Sequence, residues 1–197
     1  MRKILFLFFM ILSITSFAVP VTWTNTTGVS VSGNSLSGLV SNSWSAGAFS
    51  VESIAANTNG YFEMTAQETN AYRMGGLSST NLNASYTSIQ YAVYLHAGAG
   101  LYIYESGAYI DYFGTYATGD IFRVSREGSQ IKYYQNGSLF YTSATLTTAT
   151  LYADTSLYTY GSTIYNAHIV QIPEPASLFL FLCFFALAGK FFIQRPW

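Results

Sequence analysis

At 197 residues the chain has room for one domain with terminal targeting segments and is short for two. Half of its residues are hydrophobic and only 9% are charged, against roughly 25% in ordinary soluble domains, so solubility rests on Ser, Thr, Asn, Gln and Tyr. Between Val19 and Ile172 four basic residues (Arg73, Arg123, Arg126, Lys132) meet eight acidic ones (Glu52, Glu63, Glu68, Glu105, Asp111, Asp120, Glu127, Asp154), and the resulting net charge of −4 excludes a basic face for nucleic acid.

The N-terminus reads Met1-Arg2-Lys3, then an apolar stretch from Ile4 to Leu12, then a more polar close at Ser16-Phe17-Ala18. Basic, apolar and small-residue regions in that order predict a secretory signal peptide over residues 1–18, cut by signal peptidase after Ala18. An apolar run this short does not span a hydrocarbon core of about 30 Å.

From Val21 to Val170 apolar residues recur with period two between turn signals, and helical periodicity is hard to find. Residues 19–171 are therefore expected to form one all-β domain of roughly a dozen strands in two packed antiparallel sheets. Ile89 to Leu95 places Ile89, Tyr91, Val93 and Leu95 on a core face and Gln90, Ala92 and Tyr94 on the other. In Leu101-Tyr102-Ile103-Tyr104 the aliphatic residues take one face and the tyrosines the opposite one. If these strands are neighbours, Tyr94, Tyr102 and Tyr104 meet as a patch that can stack on sugar rings, with the Gln90 amide within reach of hydroxyls. The same tyrosines have a second reading as cross-strand pairs, each contributing perhaps 0.2 to 1 kcal/mol to the sheet.

Further along, Gly119-Asp120 opens a strand from Ile121 to Arg126, Glu127-Gly128 turns the chain, and Gln130 to Tyr134 returns. Asn136-Gly137 then predicts a type I′ hairpin into Leu139 to Ser143, because both central positions need positive φ. Leu151 to Ser156 and Thr163 to Val170 are the last expected strands.

Several stretches of this middle form a pattern: Trp44-Ser45-Ala46-Gly47-Ala48, Gly60-Tyr61-Phe62-Glu63, Gly119-Asp120-Ile121-Phe122-Arg123-Val124, and Lys132-Tyr133-Tyr134-Gln135-Asn136-Gly137 followed by Tyr141-Thr142-Ser143. Together they resemble bacterial domains of the concanavalin A-like lectin and glucanase superfamily. The resemblance implies a two-sheet jelly-roll sandwich and leaves activity open, since superfamily membership does not fix function. Retaining glucanases of that superfamily carry a Glu-x-Asp-x-x-Glu strand, so that two carboxylates about 5 to 5.5 Å apart face one sugar. No such stretch occurs here, and Glu63 and Glu68, five positions apart, point to opposite strand faces. With His96 and His168 the only histidines and no Gly-x-Ser-x-Gly elbow, no nucleophile relay is expected. No catalytic residue, metal site or cofactor is expected.

The chain ends on Ile172-Pro173-Glu174-Pro175, an apolar stretch from Ala176 to Ile193 broken only by Lys190, and Arg195 near the terminus. As a helix those 18 residues reach roughly 27 Å, enough to cross a membrane with the basic flank on the cytoplasmic side. The only cysteine, Cys183, falls inside this run, so the preceding domain forms no disulfide. Residues 172–197, with Pro173, Glu174 and Pro175 as the sorting motif and a transmembrane helix at about 176–193, resemble the PEP-CTERM protein-sorting signal. That resemblance implies recognition and cleavage by an exosortase in bacteria that make exopolysaccharide. The expectation is an exported protein, held transiently in the inner membrane and then placed at the cell surface or in the extracellular matrix, with a non-catalytic lectin-like domain that binds polysaccharide. A carbohydrate-active hydrolase of the same fold and a purely structural surface protein are the alternatives.

Overall fold

The computed structural model describes residues 16–172. The expected signal segment up to Ile14 and Thr15, the Pro173-Glu174-Pro175 motif and the apolar run from Ala176 to Ile193 lie outside the described residues. Among the described residues no helix is long and apolar enough to cross a membrane.

Fifteen strands follow one another: β1 (Ala18–Pro20), β2 (Trp23–Thr27), β3 (Val29–Ser32), β4 (Ser35–Gly38), β5 (Gly47–Ile54), β6 (Asn59–Thr65), β7 (Arg73–Ser78), β8 (Tyr91–His96), β9 (Gly100–Glu105), β10 (Ala108–Thr115), β11 (Ile121–Glu127), β12 (Gln130–Gln135), β13 (Ser138–Leu146), β14 (Leu151–Leu157) and β15 (Thr163–Ile172). A single 3-10 turn, Tyr86–Ser88, stands between β7 and β8. All pairings are antiparallel. One sheet runs β13-β12-β11-β6-β15-β4-β3, with β1 pairing β15 beside that path, and the other runs β10-β9-β8-β7-β14-β5-β2.

The alternation in the sequence explains the core. Phe62 and Met64 of β6, Phe122 and Val124 of β11, and Ile131 and Tyr133 of β12 point inward from the first sheet. Leu77, Val93, Leu95, Leu101, Ile103, Leu151 and Ala153 meet them from the second. Each of the larger aliphatic and Phe side chains gains roughly 1.5 to 3 kcal/mol from complete burial, and the sandwich holds them without any disulfide. The Asn136-Gly137 hairpin forms where the sequence requires it, with φ of 51° and 79° at the two residues.

Two buried arginines close the ends of this core. Arg126 follows Phe122 and Val124 on the inward face of β11, and its guanidinium donates to the carbonyls of Thr58, Ala55 and Ala149. At the opposite end Arg73, on the inward face of β7, pairs with Glu68 at 3.1 Å and donates to the Glu68 and Ala71 carbonyls. Glu68 in turn accepts from the backbone N–H and hydroxyl of Thr163, which ties the β6–β7 loop to the start of β15.

Two details differ from the sequence expectation. The strand expected from Ile89 begins at Tyr91, because Ile89 closes the 3-10 turn and the period-two alternation does not extend back through it. Ile89 therefore packs not in the main core but in a smaller cluster with Met74 and Ala92 on the other side of the sheet. At the domain limits, β1 starts at Ala18, opposite Val170, and β15 runs on to Ile172.

Candidate functional site

The second sheet turns a broad aromatic face outward. Tyr94 of β8 stands directly opposite Tyr102 of β9, which stands opposite Tyr112 of β10, and the ring centroids are 5.7 and 5.1 Å apart. A second row crosses the same strands, with Ala92 opposite Tyr104 and Tyr104 opposite Tyr109 at 5.7 Å. Tyr94 and Tyr104 meet edge to face at 5.5 Å, joining the rows. The expected trio of Tyr94, Tyr102 and Tyr104 is thus contiguous on one face.

The cluster is larger than that trio. His96, one strand period beyond Tyr94, packs against Tyr72 at 4.6 Å and Tyr102 at 5.5 Å. From the loop before β5, Trp44 lies 5.2 Å from Tyr158, 5.2 Å from Tyr86 and 5.6 Å from Tyr94. Trp44, Tyr72, Tyr94 and Tyr158 line an open pocket of about 300 Å³ at one end of the rows. Tyr109 and Tyr112, at the other end, are 53% and 47% exposed, so their rings are available to solvent.

Each of these placements has a local cause. Tyr109 and Tyr112 are three residues apart, and a regular strand would send them to opposite faces. A register shift in β10 between Tyr109 and Asp111 brings both to the face of Tyr102 and Tyr104. Tyr86 is delivered by the loop between β7 and β8. There Ser85 caps the 3-10 turn, Ser88 Oγ bonds to the carbonyls of Asn83 and Ser85, and Ser156 Oγ donates to the Ala84 carbonyl. That loop covers Met74, Ile89 and Ala92 and supports the rings of Tyr94 and Tyr104 from below.

Gln90 lies elsewhere. Its side-chain oxygen accepts from the Ser79 N–H at 2.8 Å, and it lines a separate pocket of about 290 Å³ with Tyr91, Glu105, Ser106, Ile110 and Thr145. The sequence expectation that its amide joins the tyrosines does not match this position, because Gln90 precedes β8 and its orientation is set by the turn.

The electrostatics of the face are those of hydroxyls and rings, with one carboxylate, Asp111 of β10, beside Tyr109 and Tyr112. Burial, reinforced by the neighbouring hydroxyls of Tyr104, Tyr72, Tyr102 and Tyr158, pushes the Tyr94 phenol well above its ordinary value, and burial also raises Tyr104. Both therefore stay neutral hydrogen-bond donors at physiological pH. Beneath the face Asp154 of β14 is buried at 2% exposure and accepts from Ser78 Oγ at 2.7 Å. Burial pushes its carboxyl up to about 7, against the opposing hydrogen bonds from Ser78 and Thr155. Other carboxylates are committed to structure: Glu63 is held twice by Arg123, Glu127 by Lys132 and Tyr134, and Glu105 accepts from Tyr133 and Ser143 across the sandwich. Among the described residues no group of three His, Cys, Asp or Glu side chains is arranged to hold a metal ion.

No protein-family model and no curated protein matches the chain. Solved structures do resemble it. A human SPRY domain aligns with a TM-score of 0.53 at 12% identity, covering 74% of this chain and 96% of its own. The PSpry domain of TRIM65 aligns with a TM-score of 0.52 at 11% identity, over 81% and 89% of the two chains. The carbohydrate recognition domain of Emp46p aligns with a TM-score of 0.51 at 8% identity, over 75% and 87%. The shared feature is the fold. Two antiparallel sheets packed as a β-sandwich are common to this chain, a carbohydrate recognition domain and SPRY domains, and identities this low carry no residue roles across.

Proposed function

We propose that this is an exported surface or matrix protein whose β-sandwich binds polysaccharide without catalysing its cleavage. The observation that carries the reading is the aromatic face: ten rings, from Trp44 and Tyr158 at the pocket to Tyr112 at the sheet edge, in contact with one another and partly open to solvent. Flat rings match the apolar faces of pyranoses, and a pocket of about 300 Å³ is at the lower end of ligand-site sizes, suited to one or two sugar units. No carboxylate lines that pocket, which favours binding over glycoside hydrolysis.

Affinity is expected in the millimolar to micromolar range, since each aromatic contact adds only about 0.5 to 1.5 kcal/mol beyond area burial. Titrating the protein with extracellular polysaccharide from its own host should give binding that Tyr102→Ala and Trp44→Ala each weaken by roughly tenfold. Tyr134→Ala, on the outer face of the other sheet, should leave it unchanged. Binding indifferent to both ring deletions would remove the aromatic face from the function.

The terminal segments complete the proposal. Signal peptidase removes residues 1–18, the apolar segment at about 176–193 holds the protein in the inner membrane, and an exosortase reads Pro173-Glu174-Pro175 and releases the domain outward. Intact mass of the exported protein should start at Val19 and lack Phe179 to Trp197. A full-length chain with its tail uncut, in a host with an active exosortase, would reduce the tail to a plain membrane anchor.

A further inference from the structure

Among the described residues the aromatic face carries no Lys or Arg. Of the four basic side chains among residues 16–172, Arg73 and Arg126 are buried at opposite ends of the core, committed to Glu68 and to carbonyls. Arg123 and Lys132 stand on the outer face of the other sheet, paired with Glu63 and Glu127. His96 is the one titratable base among the rings, and it is packed between Tyr72, Tyr94 and Tyr102. Binding a uronate or sulfated chain draws on Arg and Lys for charge-assisted hydrogen bonds that offset the cost of desolvating its charges. Here the face offers neutral hydroxyls and rings, and the one charge beside them is negative, the Asp111 carboxylate next to Tyr109 and Tyr112, within a domain of net negative charge.

The face also has a direction. Tyr94, Tyr102 and Tyr112 occupy paired positions on consecutive strands, so one ring is presented per strand, and strands repeat at about 4.8 Å. The Trp44 pocket opens at the Tyr94 end of this row and the exposed Tyr112 ends it on the edge strand. We infer that the face takes a neutral glycan laid across the strands, with one end in the Trp44 pocket and the chain running over Tyr94 and Tyr102 to Tyr112, an inference that rests on the glycan-binding reading above.

The test uses the full-length chain in detergent micelles, titrated by calorimetry with neutral disaccharides and hexasaccharides of glucose and of mannose and with hexagalacturonate, at low and high salt. Neutral hexasaccharides should bind at least about tenfold more tightly than hexagalacturonate, with little dependence on salt. Tyr112→Ala should weaken the neutral hexasaccharides several-fold and leave disaccharides, seated at the pocket, unchanged. Hexagalacturonate binding as tightly as the neutral chains would overturn the charge inference while the glycan reading stood. Equal losses for short and long ligands in Tyr112→Ala would overturn the placement across the strands. No binding by any of these sugars, together with concentration-dependent dimerisation that Tyr102→Ala abolishes, would mean that a second copy occupies the face, and the glycan reading would fall with the inference.

Discussion

Replacing Asp154 with asparagine is expected to remove most of the dependence of folding stability on pH between about 4 and 7. In the folded protein the carboxyl keeps its proton up to about pH 7, whereas in the unfolded chain it ionises near 3.8. Unfolding therefore releases a proton throughout that window, and stability falls as pH rises through it, then levels off above about pH 7. A displacement of this size corresponds to something on the order of 4 kcal/mol. Asp120 and Glu127 run in the opposite sense: burial raises them, but hydrogen bonds from Asn136, Ala117 and Gln135 to the first, and from Lys132 and Tyr134 to the second, outweigh it and hold both below their ordinary values. Their contribution is present above the unfolded carboxylate range and is lost only at lower pH, so the two windows separate. The variant should keep the Ser78 contact through its amide and match the wild type near pH 4, yet exceed it at pH 8. Urea unfolding of both proteins at the two pH values is the check, and parallel pH profiles would mean that Asp154 is solvated.

The second large effect is expected at Arg126. Its guanidinium, fully buried, is shared among the carbonyls of Thr58, Ala55 and Ala149, which belong to the β5–β6 turn and the segment before β14. Arg126→Ala would leave those acceptors buried without donors, at about 1 to 3 kcal/mol for each that water does not reach, and would open a cavity as well. A loss of at least about 3 kcal/mol in thermal or chemical unfolding is expected. Arg126→Lys should recover only part, since a single ammonium cannot fan out to separated carbonyls as a planar guanidinium does. Arg123→Ala, removing a half-exposed pair with Glu63, should cost less than about 1 kcal/mol. Equal costs at positions 123 and 126 would contradict the picture of Arg126 as the plug of one end of the core.

The contrast between these arginines shows what the sequence could and could not disclose. Parity along β8 and β9 places Tyr94 beside Tyr102 and Tyr104 because both strands are regular where those residues stand. The Asn136-Gly137 and Gly119-Asp120 turns are legible because their chemistry is local. Trp44 and Tyr158 escape such reading, since they lie outside strands where alternation says nothing about direction. Tyr109 and Tyr112 escape it because β10 shifts register between them. Gln90 goes astray because a 3-10 turn ends the alternation just before it. Arg126 enters a composition count as surface charge, although its spacing from Phe122 and Val124 puts it on the inward face of β11.

The position of β15 governs how this domain acquires its structure. The last strand of the domain lies in the interior of its sheet, between β6 on one side and β4 and β1 on the other, and its pairing with β1 sets Val19 opposite Ile169 and Pro20 opposite His168. Until Thr163–Ile172 has been synthesised, β6 and β4 have no common neighbour, β1 has no partner, and the first sheet exists only as separate parts. Contacts of such sequence separation make for slow folding, because a long loop must close before the pairing rewards it. A nascent chain that has completed fourteen of its strands still lacks the one that joins them.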